Sequence, residues 1–267
     1  MHQAVGRTQT LIDPLDPARA AALHATLDLP GATPGAGDKL APFFHQIYFW
    51  DARAPGELGR DGHPKIGDFI PDLGLPRRMW AGGRLSFNAP VTLGEPAEKT
   101  TIVESVSEKL GRTGPLAFVT LRHEIRQRDT LCVTEHQDLV YREDPAPGAT
   151  PPIAPQAADE AETQDVADFS PTLLFRYSAL TFNGHRIHYD RDYCGKVEGY
   201  GGLVVHGPLL AQLLMLKAER ELGALNSFSF RATAPLLDYE QATLCRNGTV
   251  LWVRGPDGRQ CLVAEAG

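Results

Sequence analysis

His206-Gly-Pro-Leu-Leu-Ala-Gln-Leu-Leu-Met-Leu216 is the stretch on which the fold turns. Gly207 and Pro208 mark a helix start, and Leu209, Leu210, Leu213, Leu214 and Leu216 follow before Gly223 supplies a stop. The first two turns are apolar almost all round, so this helix is expected to be buried on every side. Its charged residues (Lys217, Glu219, Arg220, Glu221) come only at the far end. A sheet wrapped around a single helix accounts for that pattern. The apolar run from Leu203 to Leu216 is interrupted and too short to cross a bilayer.

Outward from this helix the chain is β-rich. Ser227–Ala232, Gln241–Cys245, Val250–Arg254 and Cys261–Glu265 read as strands, with Asn247-Gly248 and Asp257-Gly258 as hairpin turns. Upstream, Arg84–Leu93, Thr100–Val106, Leu116–Arg126 and Leu131–Tyr141 give a second strand group. Between the groups, Glu143 to Asp168 holds Pro145, Pro147, Pro151, Pro152 and Pro155, then acidic residues and alanines. That composition predicts an extended connector, dividing the chain into units 1–142 and 169–267 joined by 143–168. Leu85-Ser-Phe-Asn-Ala-Pro90 and Phe228-Ser-Phe-Arg-Ala232 hint at a duplicated unit. In the first unit, Leu40, Phe43, Phe44, Ile47 and Tyr48 have helical spacing behind Asp38, and 17–28 reads as an added helix. The Gly- and Pro-rich segment from Pro55 to Gly83 is long for a compact domain and reads as a substrate-covering loop.

Chemistry concentrates in Arg176-Tyr-Ser-Ala-Leu-Thr-Phe-Asn-Gly-His-Arg-Ile-His-Tyr-Asp190. Asn183 and His188 lie five residues apart, with His185 between them. His188 is suited to take a proton at neutral pH, and Asn183 to orient a water. The Gly207 N–H, in the first turn of a helix, is suited to hold an oxyanion. Together these groups point to water addition or removal beside a thioester carbonyl. Plainer readings stand beside these: Asn183 as a turn residue before Gly184, His185 as a loop-fixing imidazole, Gly207 as an ordinary helix-start glycine. Asp190 reads as an N-cap or as the partner of an imidazole.

With 42% hydrophobic and 22% charged residues, the composition is that of a soluble globular protein. A net charge of −7 without a basic stripe argues against nucleic acid. Cys132, Cys194, Cys245 and Cys261 show no zinc spacing and are expected as free thiols. The N-terminus lacks a secretory apolar core, so a cytoplasmic location is expected.

The run Tyr177–Asp190 resembles the hydratase motif of MaoC-like hot-dog enzymes, whose aspartate position here carries Asn183. The variant Asn-Gly-His-Arg-Ile-His-Tyr-Asp (183–190) is similar to one branch, as are Arg77–Gly83 and Lys109–Pro115. That branch holds mesaconyl-C4-CoA (3-methylfumaryl-CoA) hydratases, itaconyl-CoA hydratases and mitochondrial-type 3-hydroxyacyl-thioester dehydratases.

The resemblance implies an α+β double hot-dog, two antiparallel sheets each wrapped around a central helix, with catalytic residues only in the second unit. It implies reversible hydration of an enoyl-CoA, mesaconyl-C4-CoA to citramalyl-CoA foremost, without metal or other cofactor. Asn183, His188 and Gly207 take the catalytic positions. Arg186 is the first choice for a substrate carboxylate, Arg77, Arg78, Arg84 and Trp80 for the phosphates and adenine of CoA, and His185 and His206 for lining the substrate site. Solvated surface cations are the plain alternative for Arg77, Arg78 and Arg84. A homodimer is expected, with neither nucleic acid nor membrane as partner. An acyl-CoA thioesterase and a non-catalytic thioester-binding protein are the rival classes.

Overall fold

The computed structural model describes residues 2–111, 114–145 and 153–267. Arg112 and Thr113 of the Lys109–Pro115 stretch, and residues 146–152 of the proline-rich connector, lie outside the described residues.

Ten strands make one antiparallel sheet in the order β1-β3-β4-β5-β2-β7-β10-β9-β8-β6. The strands are β1 Thr8–Asp13, β2 Arg77–Phe87, β3 Ala97–Gly111, β4 Gly114–Gln127, β5 Thr130–Arg142, β6 Thr163–Ala167, β7 Ser227–Ala232, β8 Ala242–Asn247, β9 Val250–Arg254 and β10 Gln260–Ala266. The helices are α1 Pro17–Thr26, α2 Pro171–Leu180, the short α3 Arg191–Tyr193 and α4 Gly207–Leu222. The order 1-3-4-5-2 repeats as 6-8-9-10-7, so the fold is a duplicated five-strand unit. The repeat hinted at by Leu85–Pro90 and Phe228–Ala232 falls on β2 and β7, which pair with each other from Gly82↔Arg231 to Ser86↔Ser227. The two expected sheets are thereby fused edge to edge. A Cβ on Gly82 would lie 2.5 Å from the Phe230 carbonyl oxygen, and one on Gly83 2.9 Å from the Phe230 ring. Two consecutive glycines let the units approach this closely.

Helix α4 is buried as its composition demands, with Leu209, Leu214, Met215 and Ala218 fully covered. It packs with Leu85, Phe228, Phe230, Leu251, Val253 and Leu262 of the sheet. Its buried Lys217 reaches Asp165 (2.9 Å) and Glu221 (2.7 Å), which ties the edge strand β6 to the helix.

The helix expected over Leu40–Tyr48 is instead a single 3-10 turn, Phe44–Ile47. Pro42 interrupts the segment, and Phe43 adopts a left-handed φ of 67°. The apolar spacing still marked burial, since Phe43, Phe44, Ile47 and Tyr48 are all in the core. Among the described residues the N-terminal unit therefore has no long central helix of its own. The expected helix 17–28 is α1, capped by Asp16, whose carboxylate accepts from the Ala18 N–H at 2.9 Å. Two polar edge strands escaped the apolar pattern: β1, and β6 inside the expected connector. Residues 77–83, expected to end the covering loop, instead begin β2. All four cysteines are buried and free. No helix of the described residues is long and apolar enough to cross a membrane.

Candidate active site

Helix α2 starts at Pro171 behind Ser170, whose hydroxyl accepts from the Leu173 N–H. It delivers the chain into a tight turn in which the Asn183 N–H donates to the Ser178 carbonyl at 2.8 Å. The Asn183 Oδ1 then accepts from the His185 N–H at 3.0 Å, an Asx-turn that sets up the 3-10 turn Arg186–His188. Its amide N–H groups have no partner among the described residues.

His188 is 6% exposed. Its Nδ1 lies 2.7 Å from the Val204 carbonyl. A carbonyl can only accept, so Nδ1 carries the proton and Nε2 keeps its lone pair. Burial lowers the His188 pKa to about 4, which leaves the ring neutral at physiological pH. The ring stacks on His206 with centroids 3.6 Å apart at 18°. His206 is the N-cap residue of α4 and fully buried, with Nε2 2.8 Å from the Ser178 hydroxyl. Burial, then the neighbouring imidazoles, hold its pKa well below the ordinary value. His188 is thus fixed beside the start of α4.

At that start the Gly207 N–H lacks an intrahelical acceptor, and none of the described residues supplies one. Pro208 follows and has no N–H to compete. A Cβ at Gly207 would meet only the Trp80 carbonyl oxygen, at 3.9 Å, so packing does not demand glycine there. An imidazole with a free Nε2 beside a helix N-terminus can take a proton from water while the helix end stabilises negative charge on an oxygen.

The loop from the first unit lies directly on the motif. The Asp61 backbone carbonyl accepts the Arg186 N–H at 2.8 Å, and the His63 ring lies 4.6 Å from that of His185. A Cβ on Gly184 would come 2.6 Å from the Gly62 carbonyl oxygen, so backbone meets backbone at this contact. The rings of His63, His185, His188 and His206 form a continuous row, with His185 5.4 Å from His188. Burial, then the neighbouring His188 imidazole and the Arg78 and Arg77 guanidinium groups, push the His185 pKa down to about 2.

Several expected substrate contacts are occupied otherwise. The Arg186 guanidinium pairs with Asp190 at 2.7 Å, lies over the Tyr193 ring and donates to the Arg60 carbonyl. Those partners make it a loop fastener rather than a free cation for an acyl carboxylate. Asp190 also caps α3, accepting from the Tyr193 N–H. Arg77 is buried against Glu198 (2.6 Å) and the Tyr200 hydroxyl (3.2 Å), so a CoA phosphate cannot reach an unpaired charge there. Arg84 pairs with Asp138 on the sheet face opposite Leu85 and α4. The half-buried Trp80 indole donates to the Gly82 carbonyl and packs at a tilt against Phe43 and Phe230. Of the three arginines expected to hold CoA, Arg78 alone has no carboxylate within ion-pair distance among the described residues. The Ser178 hydroxyl, the Val204 carbonyl, Asp61, His63 and Tyr141 were not singled out by sequence. Each is chemically ordinary at its position and acts only through long-range contacts. Among the described residues no His, Cys, Asp and Glu grouping could hold a metal ion.

A family model described as "hydroxyacyl-thioester dehydratase type 2" matches residues 43–238. The chain belongs to that family. This hydroxyacyl-thioester dehydratase type 2 relative is 45% identical to the mesaconyl-C(4)-CoA hydratase of Chloroflexus aurantiacus, over 97% of this chain and 95% of that protein. In fold it is similar to HtdX of Mycobacterium tuberculosis, with a TM-score of 0.68, 19% identity, and coverage of 97% of this chain and 99% of that one. It also matches an M. tuberculosis protein described as having a double hot-dog fold, with a TM-score of 0.58, 18% identity, and coverage of 98% and 95%. The expected double hot-dog fold, the branch of hydroxyacyl-thioester dehydratases and mesaconyl-C4-CoA hydratases, and the hydro-lyase class all stand.

Proposed function

We propose that this hydro-lyase adds water reversibly to mesaconyl-C4-CoA, giving citramalyl-CoA. The observation that carries the chemistry is the His188 imidazole, locked by Val204 into the tautomer whose Nε2 is free, beside the α4 N-terminus. Substrate choice rests on likeness to the Chloroflexus hydratase along nearly the whole chain. His188 Nε2 takes a proton from water as its oxygen attacks the β-carbon, and the imidazolium so formed returns that proton to the α-carbon as the enolate collapses to the product. The Gly207 N–H and the helix dipole stabilise the enolate oxygen of the thioester. Asn183 cannot exchange protons as a carboxylate would, so it holds the loop through Oδ1 and offers its amide N–H groups to the water. Unit 1–142 supplies the cover through the loop at Asp61–His63, while unit 169–267 supplies the reacting groups.

Mesaconyl-C4-CoA, itaconyl-CoA and crotonyl-CoA compared side by side test the reading. Mesaconyl-C4-CoA should lose its enoyl absorbance fastest, with citramalyl-CoA as the product. Release of free CoA instead would identify a thioesterase, and binding without turnover a carrier of thioesters.

A further inference from the structure

Three polar groups beside the reacting centre lack the acceptor their chemistry calls for. Arg78 stands opposite Tyr141 in the β2–β5 ladder, and directly opposed residues share a sheet face. The Tyr141 hydroxyl is buried and has no acceptor for its proton among the described residues; the group that bears on it is the Arg78 guanidinium, itself only a donor. Arg78 lies two residues before Trp80, whose carbonyl oxygen is 3.9 Å from a Cβ placed on Gly207, so this end of β2 borders the start of α4. Its charge bears on that hydroxyl and on His185, and among the described residues no carboxylate pairs with it at ion-pair distance. Neither ring nitrogen of His185, 8% exposed, has a hydrogen-bond partner among the described residues. Asp61, which also feels the Arg78 charge, has its own Oδ1 engaged by the His63 N–H. A buried donor without an acceptor is costly, and a cation beside it calls for an anion.

The substrate has one to offer. In mesaconyl-C4-CoA the free carboxylate is borne by the same β-carbon that receives the hydroxyl. Water attacks from about 3–3.5 Å. The receptor must therefore stand one side chain away from the base. His185 is there, its ring 5.4 Å from that of His188. Arg186, spent on Asp190, is not available.

We infer that Arg78, Tyr141 and His185 form the receptor for the free carboxylate of a dicarboxylic enoyl thioester, next to His188. The guanidinium grips the carboxylate through paired N–H groups, and the phenol and imidazole add single hydrogen bonds. This assignment rests on the hydratase reading above and supplies its specificity.

The test compares full-length wild type, Arg78→Gln, Arg78→Lys and Tyr141→Phe on mesaconyl-C4-CoA and crotonyl-CoA, with melting curves for each. Arg78→Gln should lower kcat/KM on mesaconyl-C4-CoA by about 100-fold or more and change it on crotonyl-CoA by less than about 3-fold. Arg78→Lys should fall between, and Tyr141→Phe should cost about 5- to 10-fold on the dicarboxylic substrate only. Equal losses on both thioesters, or none on either, would overturn the receptor while leaving the hydratase standing. Should Arg78→Gln fail to fold, Tyr141→Phe decides by the same criterion. A wild type inert towards mesaconyl-C4-CoA but active on crotonyl-CoA would overturn both.

Discussion

At the residue scale, the proposed base is defined by a hydrogen bond that sequence does not display. A backbone carbonyl at 204 fixes the proton on Nδ1 of His188 and so leaves Nε2 as the nitrogen able to accept one. His188→Ala should lower kcat by ~10²–10⁴, the usual contribution of a positioned acid–base group; a folded variant turning over at the wild-type rate would remove the assignment. Protonation of Nε2 abolishes the base, so kcat/KM should fall as pH drops through about 4 rather than through 6.5. A pH–rate profile places that limb. Asn183 works differently: its Oδ1 is committed to the His185 N–H, so Asn183→Ala loosens the turn that aims His188. Misplacement of that kind costs on the order of 10²-fold in rate. A steady-state comparison with His188→Ala measures it.

At the element scale, the junction between units depends on the closeness of β2 and β7. Gly82→Ala would press a methyl group against the Phe230 carbonyl, and neither backbone can retreat without breaking its ladder. A destabilisation of about 2 kcal/mol is expected, seen as a melting temperature lower by roughly 5 °C. An unchanged melting curve would mean that the two strands separate more readily than their pairing implies. Strands with apolar alternation were legible in the sequence, as was the buried α4. The polar edge strands β1 and β6 were not, because an edge is kept soluble by the same residues that mark loops. The segment 40–48 shows the converse failure, where helical spacing recorded which residues are buried but Pro42 forbade the helix.

At the scale of the whole molecule, buried imidazoles couple stability to pH. Unfolded histidines take up protons below about pH 6.5. His123 and His188 resist until about 4 and His185 until about 2, in each case chiefly because burial penalises the charged ring. The unfolded chain therefore binds more protons as pH falls, and stability is lost from about 6.5 downward. Each such histidine removes up to about 1.4 kcal/mol per pH unit. Urea unfolding at pH 7.5, 6 and 5 should show a midpoint that is steady above 6.5 and falls steadily below it. A midpoint independent of pH over this range would mean that these rings charge freely in the folded state.

Covalent neighbours were enough to reveal a helix apolar on all sides, the strands that must surround it and the Asn183–His188 spacing ahead of Gly207. Those features rest on local periodicity and residue chemistry, which are written along the chain. The partnerships of the arginines were decided only in three dimensions. Arg77, Arg84 and Arg186 are paired with Glu198, Asp138 and Asp190, while Arg78 has no such partner among the described residues. A guanidinium is identical at every position in a sequence. Whether its charge is already satisfied depends on which carboxylates the folded sheet brings within reach.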